Sequence, residues 1–210
     1  MSLGNGNPKE GDKGSNFNYE LKVLQGLESI AVALENQPTS TNYGLYAATA
    51  NSGTIGNTTI PGSLVGAGVG TLSVPADTFK VGDSFHLKML GHISCINNAQ
   101  LAITLNSGAA ILGSTGFITL GACTNKHWEL NVYFTIRSLG AAGTAAIMAG
   151  GVFTYSKNSA NIFEGTNFTE LNNTTFQTNA LNTLTVTGQW FAANAGNSIY
   201  SEVCILNKLY

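Results

Sequence analysis

Charged side chains are scarce in this sequence of 210 residues, where they make up 10% of the chain against about a quarter in ordinary soluble domains. Residues 1–37 hold eight of them and carry the whole formal net charge of −2, whereas residues 38–210 hold six of each sign and are neutral. That neutral part contains one arginine, Arg137. A phosphate backbone requires a basic surface, so we expect no nucleic-acid partner.

The sequence also contains few cysteines and no long apolar run. The three cysteines, Cys95, Cys123 and Cys204, are widely spaced and form no CxxC pair, which indicates buried free thiols and neither a zinc site nor a disulfide framework. No apolar run reaches the roughly 18 residues of a membrane span. The polar N-terminus resembles no signal peptide and lacks the Gly at position 2 that myristoylation requires. We therefore expect no membrane partner.

The residues that commonly carry catalysis are few and poorly placed. His86 and His92 fall on one face of a predicted strand, roughly 20 Å apart at ~3.3 Å per residue, so they cannot share a metal ion unless the strand breaks sharply at Gly91. No GxSxG elbow is present, and the glycine-rich run 66–70 fits neither dinucleotide nor P-loop patterns. A glycosidase pair would have to come from the few acids of the β body, of which Glu164 and Glu170 fall in the loop-like stretch 156–173; these acids are Asp77, Asp83, Glu129, Glu164, Glu170 and Glu202. We expect a protein that is not an enzyme and needs no cofactor.

Glycine, Thr, Asn and Ser are abundant instead, a composition that suits many short strands joined by tight turns. Apolar and polar residues alternate strictly over 127–137, so that Trp128, Leu130, Val132, Phe134 and Ile136 face one side. The same alternation marks 84–95, with a bend expected at Gly91, and 183–190. We predict further strands at 43–49, 70–75, 100–105, 110–120, 143–155, 174–178 and 198–207.

This number of strands at this spacing predicts an all-β fold, a jelly-roll-like β-sandwich over residues 38–210. The stretch 156–173 is interpreted as a long loop, and loops of this length are often binding surfaces. Phe163 and Phe168 within it are expected to cover the end of the sandwich or to contact a neighbouring chain.

Residues 1–37 form a separate N-terminal region. Glycines and Pro8 make residues 1–16 an extended arm, and residues 17–36 are predicted to form one short α-helix that ends before Pro38. Its apolar positions follow the 4-3-4 spacing of a coiled-coil seam, and it is too short to be stable alone. It therefore packs either on its own β-sandwich or on other copies or a larger assembly. The candidate oligomerisation and attachment residues are Phe17, Leu21, Val23, Leu24, Leu27, Ile30 and Leu34.

Several segments resemble small structural proteins of tailed bacteriophages. LGNGNPKEGDKGSNFNYELKVLQGLESIA (residues 3–31) resembles an N-terminal arm of phage virion proteins. LSVPADTFKVGDSFHLKMLGHIS (72–94) resembles the opening of a jelly-roll virion domain, and residues 127–156 and 182–210 resemble its later strands. The resemblance implies a virion component, a homo-oligomer and specifically a trimer, such as a head fibre, a decoration protein or a minor tail protein. Other virion proteins of the capsid or tail would be contacted through residues 1–36.

An alternative function is a binding module for host surface glycans. The Thr-rich outward faces of the strands, together with Tyr133, Tyr155 and Tyr200, would supply hydrogen bonds and stacking surfaces. A virion structural role and glycan recognition are compatible, because fibres often bind receptors. A glycosidase is the weakest hypothesis, since acidic residues are so few.

Overall fold

The computed structural model describes Lys22, Val23, Gln25, residues 43–159 and residues 162–210. The chain divides into two compact units, Met1–Thr39 and Ser40–Tyr210. In the first unit Lys22, Val23 and Gln25 are helical. The rest of the predicted arm and helix lies outside the described residues.

The second unit is built from β-strands. Several are long and pair along their whole length, and the shorter ones lie at the sheet margins. In chain order they are β1 Tyr43–Ala48, β2 Ile55–Gly56, β3 Gly62–Ser63, β4 Gly68–Gly70, β5 Ser73–Val74, β6 Ser84–Cys95, β7 Ala99–Ser107, β8 Ala110–Ser114, β9 Ile118–Leu120, β10 Cys123–Ser138, β11 Ala146–Ser156, β12 Phe163–Asn172, β13 Asn182–Trp190 and β14 Ser198–Lys208.

These strands form two antiparallel sheets. The larger has the order β12-β11-β10-β6-β14-β1-β4, with β2 also paired to β14, and the smaller has the order β3-β13-β7-β8, with β5 on β13 and β9 on β7. From β6 onward the chain crosses between the sheets from β6 to β7, from β9 to β10, from β12 to β13 and from β13 to β14, whereas β10, β11 and β12 follow one another as a meander. The predicted all-β, jelly-roll-like sandwich is confirmed.

The core lies between the sheets and is built by the predicted alternation. In β10 the residues expected to face inward are buried, and the same holds for Leu184, Val186 and Trp190 in β13. Each such aliphatic side chain contributes about 1.5–3 kcal/mol on burial. The two buried indoles also keep hydrogen-bond partners: Trp128 Nε1 donates to Tyr200 O at 3.0 Å and Trp190 Nε1 donates to Ile55 O at 3.0 Å. The core therefore buries these polar atoms without leaving them unsatisfied.

The loop predicted over 156–173 is wrong, because most of it is β12, which pairs with β11 from Ile147↔Asn172 to Ser156↔Phe163. β12 is an edge strand, and its inward positions are only partly covered. It therefore lacks the strong apolar alternation that marks interior strands. Phe168 points inward and packs against the core, whereas Phe163 points outward and is 70% exposed.

The strand predicted at 174–178 is also wrong: these described residues form no strand. The buried side chain of Asn172 directs the chain into a turn here. Its Oδ1 accepts hydrogen bonds from the backbone N–H groups of Thr174, Thr175 and Phe176 at 3.0–3.3 Å. Such local side-chain bonds compete with a sheet ladder for the same backbone groups, and here they turn the fully buried Phe176 into the core.

Three smaller predictions need correction. The strands expected at 70–75 and 110–120 are each split in two, by Gly70 with φ of 91° and by Gly116 with φ of 60°, conformations that favour glycine. β6 runs through Gly91 over these described residues, so the bend expected there does not interrupt the strand. It is β14 that has the irregularity, a bulge between Ser201 and Val203 opposite Gly91.

Candidate functional site

The outer face of the larger sheet brings together aromatic, amide and carboxylate side chains from four neighbouring strands. Register places His86, Tyr133, Gly150 and Thr169 in one row across β6, β10, β11 and β12. The next row is Lys88, Asn131, Val152 and Asn167, and the one after it is Leu90, Glu129, Thr154 and Gly165. Residues that are far apart in sequence therefore form one continuous surface.

Tyr133 is the exposed aromatic side chain at the centre of this face. Its ring lies parallel to that of His86, with centroids 4.4 Å apart and an interplanar angle of 7°, and the side chain is 55% exposed. His86 and Gly150 are its cross-strand partners on opposite sides. One ring face is therefore covered by His86, and the other is turned toward the space above Gly150, where there is no side chain.

That space is an open groove of about 630 Å³ above β10, β11 and β12. Gly150 and Val152 form its floor, Tyr133 one wall, and Asn167 and Thr169 the other. Tyr133 and Thr169 are two strand spacings apart, roughly 9–10 Å. A second depression of about 490 Å³ extends along β12 as far as Phe163. The distance between the two walls is enough for one six-membered ring in contact with the ring of Tyr133.

A chain of polar contacts fixes the side of the groove next to β6. His86 Nε2 and Asn131 Oδ1 are within hydrogen-bond distance, Asn131 Nδ2 donates to Glu129 Oε1 at 3.2 Å, and Lys88 Nζ lies 3.3 Å from Glu129 Oε1. Each of these side chains therefore contacts the next in the series. Ordered polar groups of this kind cost less entropy when a ligand binds.

Behind the groove, a second network ties the edge strand β12 to the body. Tyr155 Oη donates to Glu164 Oε2 at 2.6 Å and accepts from the backbone N–H of Gly121 at 2.7 Å, and Lys157 forms an ion pair with Glu164. Hydrogen bonding from Lys157 lowers the pKa of Glu164, and burial raises the pKa of Tyr155. These contacts support the strand that carries Asn167 and Thr169.

A separate cluster lies further along the same face. The ring of His92 stacks on Tyr200 with centroids 5.9 Å apart and meets His127 edge-on at 6.3 Å. Its Nδ1 lies 3.1 Å from Glu202 Oε2, but the geometry is not that of a hydrogen bond, and this buried atom has no hydrogen-bond partner among the described residues. Within the described part of the chain, no group of three potential metal ligands comes together.

The sequence-predicted residues reach this face only in part. Tyr133 and Tyr200 lie on it. The expected role of Tyr155 in stacking on a glycan is wrong, because Tyr155 occupies one of the alternating inward positions of β11 and its ring is buried in the core. Of the seven candidate attachment residues, one is among the described residues. Val23 is helical and 47% exposed, and the other six lie outside the described residues, so their role stays a prediction.

Sequence reasoning missed the floor and the far wall of the groove, formed by Gly150, Val152, Asn167 and Thr169. The glycine pair 150–151 inside an otherwise regular strand was the available signal, since glycine in a strand interior often marks a close approach of another group.

No helix within the described residues is long and apolar enough to cross a membrane.

Fold and surface together define an antiparallel β-sandwich with an open groove of polar and aromatic side chains on one sheet. The sequence matches no protein-family model and no curated protein. Among solved structures, the chain is similar to the CBM2 module of the evolved Dit of Lactobacillus casei BL23 phage J-1, with 10% sequence identity and a TM-score of 0.31. The similarity covers 66% of this chain and 68% of that chain.

Proposed function

We propose that this chain is a non-enzymatic structural protein of a bacteriophage particle, and that its β-sandwich recognises a saccharide through the groove over β10–β12. The observation that carries the binding role is the free ring face of Tyr133 beside the bare floor at Gly150. The virion role is supported by the resemblance of residues 3–31, 72–94, 127–156 and 182–210 to phage structural proteins.

The chemistry of the groove suits a sugar. A pyranose ring presents C–H groups on its faces and hydroxyl groups around its edge. The apolar face would lie against the ring of Tyr133, a contact for which an aromatic pair, at about 0.5–1.5 kcal/mol, gives the order of magnitude, and Gly150 leaves the space for it. Asn167 and Thr169 would offer amide and hydroxyl groups that both donate and accept hydrogen bonds, as sugar hydroxyls do.

The carboxylates near the groove have partners that suit positioning better than catalysis. Glycoside hydrolysis needs two carboxyl groups that flank one bond. Glu129 is held by Lys88 and Asn131 on the outer face, whereas Glu164 faces the other side of the sheet with Tyr155 and Lys157. A pair divided between the two sides of one sheet favours binding without hydrolysis.

Saccharide binding is tested by screening the full-length protein against an array of bacterial surface glycans and by titrating the best ligand in a calorimeter. Tyr133→Ala should weaken binding about two- to twelvefold, in line with the loss of one stacking contact. Phe191→Ala is the matched control: it removes another exposed aromatic side chain, 62% exposed, that follows β13 of the smaller sheet. Equal loss in both variants, or no glycan bound by the wild type, would reject the groove.

In the particle, we propose that the protein is a head fibre, a decoration protein or a minor tail protein, that it is a trimer, and that residues 1–36 attach it. The 4-3-4 seam of residues 17–36 supports the attachment role, since a helix this short needs a partner surface. Light scattering of the full chain gives the oligomeric state. A variant lacking residues 1–36 should remain folded and fail to join particles, and normal incorporation would refute the attachment.

A further inference from the structure

Two of the three cysteines face each other at the end of the large sheet. β6 ends at Cys95, β10 begins at Cys123, and register makes the two residues direct cross-strand partners. Their Sγ atoms are 3.2 Å apart. Cys204, in β14, is buried elsewhere in the core. The wide spacing of Cys95 and Cys123 in the sequence did not indicate that the two residues are neighbours in the fold.

This geometry is close to that of a cystine. Cross-strand partners in an antiparallel pair have Cα atoms about 4.5–5.5 Å apart, inside the roughly 4.4–6.8 Å range of disulfides. To reach a bond length of about 2.05 Å the sulfur atoms must approach by little more than 1 Å. Rotation of the two side chains supplies that movement, so the backbone ladder can stay in place.

We propose that Cys95 and Cys123 are a modification site at which a peroxide oxidant forms an intrachain disulfide. The Cys95 thiolate attacks the peroxide, the O–O bond breaks, and a sulfenic acid and hydroxide form. The hydroxide takes up a proton and becomes water. Cys123 then attacks the Cys95 sulfur, the S–S bond forms as the S–O bond breaks, and a second water leaves with the proton of Cys123. Two thiols are oxidised and one hydrogen peroxide is reduced to two waters.

The surroundings of the pair favour this order of events. A hydrogen bond from the Cys123 thiol lowers the pKa of Cys95, and the same interaction raises the pKa of Cys123. This difference favours Cys95 as the attacking thiolate. Both residues are buried, at 5% and 2% exposure, so a small oxidant such as peroxide reaches them more easily than a bulky disulfide does. Strand ends also open locally more readily than strand centres.

Trypsin separates the proposed bridge from the third cysteine. Cleavage after Lys88 and Lys126 leaves both Cys95 and Cys123 in the peptide 89–126, whereas Cys204 falls in the peptide 158–208. The full-length protein is treated with hydrogen peroxide, denatured, alkylated and digested. We expect peptide 89–126 to be two hydrogen atoms lighter and unalkylated, with Cys204 alkylated, and a thiol count that falls from three to one.

Three variants complete the test. Cys95→Ser and Cys123→Ser should each abolish the mass loss, and Cys204→Ser, the matched control, should keep it. The bridge closes a loop of about 28 residues, so the oxidised wild type should melt up to about 10 °C higher than the reduced protein. Three alkylated cysteines after peroxide treatment, a sulfinic acid on Cys95 in place of the bridge, or a disulfide between two chains would overturn the proposal.

Discussion

The adjacent glycines 150 and 151 allow a quantitative test of how the large sheet presents its two faces. A Cβ added at Gly151 would lie 2.7 Å from Phe168 Cζ, 2.9 Å from Asn131 O and 2.9 Å from Val132 Cγ2. Overpacking of this kind costs about 1–3 kcal/mol. Replacing glycine by alanine in a strand interior by itself stabilises the folded state by roughly 0.5–1 kcal/mol. Gly151→Ala should therefore lower the free energy of unfolding by up to about 2.5 kcal/mol.

Gly150→Ala is the matched substitution on the outer face. Its Cβ would meet Phe168 O at 3.8 Å and Thr169 Oγ1 at 4.0 Å, which are ordinary contacts. Gly150→Ala therefore has no overpacking cost and keeps the stabilisation of roughly 0.5–1 kcal/mol from removing glycine. The variant should be as stable as the wild type or slightly more stable. Both are measured by urea unfolding monitored through tryptophan fluorescence. If Gly151→Ala proved as stable as Gly150→Ala, the assignment of Gly150 to the groove floor would be refuted.

Three further predictions address the supports of the site and the core. The pKa of Glu164 is lowered in the folded protein. Its contribution to stability is therefore present above the ordinary carboxyl pKa of about 4.3 and is lost as pH falls through the lowered value. Urea unfolding between pH 7 and acid should show this loss of stability, and the pH-dependent loss should be smaller in Glu164→Gln. Asn172→Ala should cost about 1–3 kcal/mol in the same assay, because it removes the acceptor of three backbone N–H groups, while the exposed neighbour Asn173→Ala should change stability by no more than about 0.5 kcal/mol. Trp128→Phe should cost about 2–4 kcal/mol, because it opens a cavity and leaves the Tyr200 and His92 carbonyl groups without the indole donor; a loss below 1 kcal/mol would show that the indole is not a principal element of the core.

The sequence predicted the interior strands well, because burial on one face imposes a period of two. In 84–95, 127–137 and 183–190 this constraint fixed both the strand and the inward residues. The edge strand β12 was missed because it buries little, so its sequence needs no strict alternation. The turn after it was misread as a strand, since the role of Asn172 depends on a side-chain geometry that apolar spacing does not reveal.

The site was predicted less completely than the fold, and for a related reason. Tyr133 could be placed on an outward face from alternation alone. Its meeting with Gly150, Asn167 and Thr169 depends on the pairing of β10, β11 and β12, and register between strands is not written in the pattern of any one strand. The proximity of Cys95 to Cys123 escaped prediction in the same way.

The central claim is that a saccharide occupies the groove over β10–β12. The most direct measurement is the change in backbone amide chemical shifts when oligosaccharides from a bacterial cell surface are added to the isotope-labelled protein. We predict that the perturbed amides cluster around Tyr133, Gly150, Val152, Asn167 and Thr169. Perturbations confined to the smaller sheet, around Phe191, or no perturbation by any saccharide that the array retains, would contradict the claim.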